Sequence, residues 1–76
     1  MFSMHIRPEV LERLRKEYPT GTRVELVQMN DPYRNMPEGL KGTVIHVVDA
    51  GGIHVAWENG STLAAIHGFD IIKKCE

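Results

Sequence analysis

Residues 39–60 read GLKGTVIHVVDAGGIHVAWENG, and the way this stretch pairs with itself decides the fold. Two alternating runs rich in β-branched residues, Thr43 to Val48 and Ile53 to Trp57, flank the break Ala50-Gly51-Gly52, and a second break follows at Asn59-Gly60. Runs of this kind separated by glycine-containing breaks are strands joined by tight turns. Asn-Gly is the strongest short hairpin signal, because both central residues of a type I′ turn need positive φ, so a type I′ turn is expected there. Register follows from burial. If Ile53, Val55 and Trp57 face the core, a three-residue loop of Asp49, Ala50 and Gly51 sets Val47 across from Ile53 and Ile45 across from Val55. His46 and His54 then oppose each other on the outside. A two- or four-residue loop would bury His46 instead, and since one residue of slip exchanges every face, burial selects the first register unless a bulge intervenes.

Working outward, Thr22 to Met29 alternates with Val24 and Leu26 on one face and Arg23 and Glu25 on the other, which is a half-buried strand. Asn30 to Gly39 holds two prolines, two asparagines and a glycine, so it is a loop. Ser61 to Ile66 reads as a fourth strand, His67-Gly68-Phe69-Asp70 as a tight or 3₁₀ turn, and Ile71 to Lys73 as a short fifth strand. On the N-terminal side, Arg7 to Tyr18 carries Pro8 early and Glu9 and Glu12 in the first turns, a helix start that suits the dipole. Its residues Val10, Leu11, Leu14 and Tyr18 gather on one stripe, and Glu9–Arg13 and Glu12–Lys16 are spaced to pair. Residues 1–18 are therefore expected to be a helical extension and residues 19–76 an SH3-like barrel: mainly β, five-stranded, preceded by one α-helix. The expected core is Val24, Leu26, Val44, Ile45, Val55, Trp57, Leu63 and Ile71, with a bulge able to exchange Val44 and Ile45.

Seventy-six residues make one small domain. Nine basic against ten acidic side chains give a formal net charge of −1, without the basic excess that drives non-specific nucleic-acid binding. The single cysteine, Cys75, forms no internal disulfide, which fits a reducing cytoplasm. No apolar run approaches the length of a membrane span.

The segments PTGTRVELVQMNDPY from Pro19, PEGLKGTV, WENGSTL and HGFD resemble an uncharacterised domain-of-unknown-function family of small SH3-like barrels from bacteria, phages and mobile elements. The resemblance runs from Pro19 to Asp70, with the preceding helix as a common extension. It implies a fold and a genomic setting and no activity. Gly39 to Val44 is also similar, more weakly, to KOW-type segments of ribosomal and transcription-factor barrels, although glycines at positions 39 and 42 are what any tight entry into a twisted strand requires.

The four histidines, His5, His46, His54 and His67, lack zinc-site spacing, and Ser3, Ser61 and Cys75 lack a catalytic context. No metal, cofactor or enzymatic activity is expected. What remains is recognition. The long loop displays Asp31, Tyr33, Arg34 and Met36, residue types that include good interface anchors, so the expected function is a protein-interaction module of a phage or mobile element, acting on a host factor in the cytoplasm. The alternative is a nucleic-acid-binding barrel using Arg23, Arg34, Lys41, Lys73 and Lys74. A third possibility is self-association, through an uncovered sheet edge or the Val10/Leu14 stripe.

Overall fold

The computed structural model describes residues 6–29 and 36–75. The helix α1 spans Pro8–Glu17. Pro8 occupies its first turn, where a missing N–H costs nothing, and Arg7 enters it in extended conformation. Arg7 O accepts from the N–H groups of both Val10 and Leu11 at 3.0 Å. Glu9 in the first turn and Arg15 and Lys16 in the last complement the dipole. The helix stops at Tyr18 because Pro19 disfavours helical geometry in the residue before it. Lys16 pairs with Glu12 as spaced, but Arg13 turns to Glu17, at 3.9 Å, in place of Glu9.

Five strands follow: β1 Arg23–Gln28, β2 Lys41–Val47, β3 Gly52–Trp57, β4 Ala64–Ile66 and β5 Ile71–Lys74. They form one antiparallel sheet in the order β4-β3-β2-β1-β5. The sheet curls until β4 and β5 approach each other, giving a small barrel-like fold. Its interior is filled by Val24 and Leu26 of β1, Val44 and Val47 of β2, Ile53, Val55 and Trp57 of β3, and Ala65 of β4. Leu14 is buried among them, so the helix stripe is used against the chain's own sheet, with Val10, Leu11 and Tyr18 packed beside it.

The central hairpin keeps the expected outer pairs, Val47↔Ile53 and His46↔His54, and then departs from regular alternation. Val44, in place of Ile45, stands across from Val55, because a bulge between Val44 and His46 makes Ile45 the extra residue. Ile45 is consequently 39% exposed and not part of the core. A second irregularity between Leu26 and Gln28 sets Ile72 across from Leu26, so Ile72 packs on the core while Ile71 stays 49% exposed. Leu63 is half-buried and precedes β4, which begins at Ala64 and not at Ser61. Ser61 Oγ accepts from Leu63 N at 3.2 Å and Asn59 Oδ1 from Ser61 N at 3.0 Å, local bonds that replace a ladder there.

The Asn59-Gly60 turn is not type I′. Gly60 has φ 90°, but among the described residues only glycines have positive φ, so Asn59 does not. Gly60 N donates to Trp57 O at 3.0 Å and Trp57 N to Ser61 O at 2.9 Å, which closes a three-residue loop ending in a left-handed glycine. The 49–51 loop repeats this form with Gly51. Gly42 has a different reason to be glycine: a Cβ there would lie 2.5 Å from Val55 Cγ1 and 2.9 Å from Ala56 O.

Candidate functional site: a groove beside the helix

Where the sheet closes, β4, β5 and α1 leave a groove of about 780 Å³. Its lining includes the core itself, through the buried side chains Leu14, Ile53 and Ala65. Ile66 and Ile72, half-buried, extend this apolar surface, and Phe69 and Ile71, 53% and 49% exposed, complete it. Arg13, Glu17, Gln28, His67 and Asp70 provide the polar rim.

The turn that carries Phe69 is fixed by its backbone. Ile66 O accepts from Phe69 N at 3.0 Å and from Asp70 N at 2.8 Å, while Gly68 turns the chain with φ 84°. Asp70 Oδ2 accepts from Ile66 N at 2.9 Å, tying the end of β4 to the start of β5. This side-chain bond occupies a donor at the end of the edge strand β4, one of the devices that blunt an open edge. On the helix side, burial raises the Tyr18 phenol above its ordinary pKa and Glu17 adds to the effect, so the phenol is neutral at physiological pH. Lys74 Nζ sits 5.5 Å from the centre of its ring.

Of the loop residues that the sequence offers as a binding site, Asp31, Tyr33 and Arg34 lie outside the described residues. Met36 is half-buried against the core, with its sulfur 3.7 Å from Asn59 Nδ2. Gln28, on the groove rim, is two residues ahead of that undescribed segment.

The basic residues are interleaved with acids. Arg23 bonds to Thr43 Oγ1 at 2.8 Å and pairs with Glu58. Lys73 pairs with Glu25 at 3.8 Å, and Lys41 stands across the ladder from the same Glu25. Lys74 lies on the opposite face of β5 from Lys73, across from Val24 and over Tyr18. Arg34 is outside the described residues. The groove itself was not read from the sequence. Its one advance signal is an aromatic residue held in a turn between Gly68 and Asp70, and the walls come from segments far apart in the chain.

His46 and His54 stack on the outer face, ring centres 5.0 Å apart and planes 12° from parallel. Among the described residues no three metal-ligating side chains cluster, and no helix is long and apolar enough to cross a membrane.

Neither a curated protein nor a solved structure matches the chain. A family model matches residues 7–75, a span that takes in the helix as well as the five strands, and the chain accordingly belongs to the family described as Domain of unknown function (DUF4314).

Proposed function

We propose that this chain is a non-catalytic, SH3-like binding module that takes a protein partner in the groove beside α1. The observation that carries the reading is the pair Phe69 and Ile71, two bulky apolar side chains left about half exposed at the mouth of a groove lined by core residues. Apolar and aromatic anchors beside a polar rim are the usual anatomy of a recognition surface. The loop residues Tyr33 and Arg34 are a second candidate anchor pair. The resemblance to phage and mobile-element domains supports a partner in the bacterial host, and the unpaired Cys75 supports a cytoplasmic setting. The nucleic-acid alternative has less support, because two of its cations, Arg23 and Lys73, are paired with carboxylates and the counterion-release argument needs unneutralised ones.

The test is capture of host proteins by the immobilised chain, compared with the Phe69→Ser/Ile71→Ser and Tyr33→Ala/Arg34→Ala double variants, each first shown to melt cooperatively. Loss of a specific captured protein in the groove variant supports the reading. Retention by that variant together with loss in the loop variant moves the site to the loop. Retention of duplex or single-stranded nucleic acid that weakens steeply with salt overturns the protein-binding reading in favour of the alternative.

A further inference from the structure

We propose that His46 and His54 form a two-imidazole chelate for a divalent transition-metal ion, zinc or nickel in class, on the outer face of the β2–β3 hairpin. The bulge is the reason the two rings meet. In unbroken alternation from buried Val44, His46 would point into the core and Val47 out; the extra residue Ile45 reverses this, leaving Val47 buried and His46 exposed directly across from His54. Bulges commonly re-aim a side chain in this way. The strands hold both rings side by side before any ion arrives, with centroids 5.0 Å apart.

Chelation asks the rings to leave their stack. Metal–nitrogen bonds of 2.0–2.1 Å put two imidazole nitrogens about 3.0–3.4 Å apart with their in-plane lone pairs converging, so the two nearly parallel rings must turn toward each other to meet at one ion. The torsion that tips an imidazole is broad and two-fold, so this costs little. Imidazole suits zinc, nickel and copper, and with two protein ligands the remaining positions belong to water or to a group on another molecule.

The experiment is titration of the folded protein with Zn²⁺ alone and Ni²⁺ alone by calorimetry. The parent is compared with His46→Ala, His54→Ala, the double variant and Cys75→Ser, and circular dichroism confirms that each is folded. The expected result is one saturable site that each single histidine variant weakens by at least about tenfold, since loss of either ring leaves a monodentate ligand. The double variant should show no saturable binding, and Cys75→Ser should bind like the parent. The melting temperature of the parent, and not of the double variant, should rise with added metal. Absence of saturable binding by the parent overturns the proposal, as does binding that survives in the double variant, which would assign the metal to other side chains.

Discussion

The β2–β3 hairpin and the β4–β5 closure are built from similar residues and do opposite things with them. In the hairpin, strands of seven and six residues pair along most of their length and contribute Val44, Val47, Ile53, Val55 and Trp57 to the interior. In the closure, strands of three and four residues bury only Ala65 and leave Phe69 and Ile71 at the surface. Burial of apolar area is what stabilises a small domain, and a domain of this size has little to spare. Stability therefore concentrates in one region, and the other is free to carry surface chemistry.

The hairpin should be the fragile half, and Trp57→Ala its largest single loss. Trp57 is 3% exposed and its Nε1 donates to Leu63 O at 2.8 Å, so truncation opens a cavity and removes a hydrogen bond that helps hold the chain leading into β4. We expect a loss of roughly 3–5 kcal/mol, comparable with the whole stability of a marginal domain. Urea denaturation checks this; a midpoint near that of the parent would mean the hairpin is not where stability resides. Gly42→Ala comes next. The added methyl meets Val55, Ala56 O and the Trp57 ring at 2.5 to 2.9 Å, and overpacking of this kind costs about 1–3 kcal/mol.

A third substitution tests a turn more than the core. Gly60→Val places a β-branched residue at φ 90°, which costs about 1–2 kcal/mol in left-handed geometry, whereas Ser61→Val loses only one part-buried local bond of 3.2 Å. Equal melting temperatures for the two variants would contradict the left-handed assignment of Gly60. This turn also shows where the sequence stops being decisive. Asn-Gly located the break correctly, but a two-residue and a three-residue loop share the same dipeptide, and only the bonds from Gly60 N to Trp57 O and from Trp57 N to Ser61 O distinguish them.

Val44-Ile45 and Ile71-Ile72 present the same difficulty. Each is a pair of adjacent aliphatics in which alternation permits either member to turn inward, and a bulge nearby settles the choice through fit, which no pattern of residue types encodes. The outer register, with His46 opposite His54, was legible because burying an imidazole would have been costly. The groove was illegible for another reason: Leu14, Ile53, Ala65 and Phe69 become neighbours only after the sheet has closed on the helix.

The smallest effect on stability should come from the closure, where Phe69→Ser combined with Ile71→Ser removes two side chains that remain about half in water. Surface substitutions that break no special backbone feature stay within about 0.5 kcal/mol. Neither residue has positive φ, and the turn between them is held by Ile66 O, Gly68 and Asp70, which the double variant leaves intact. Its melt should therefore overlay that of the parent closely, while capture of a protein partner is lost. A melt several degrees lower would show that Phe69 and Ile71 cover the core in the way the hairpin residues fill it, and the division of labour between the two regions would fall with it.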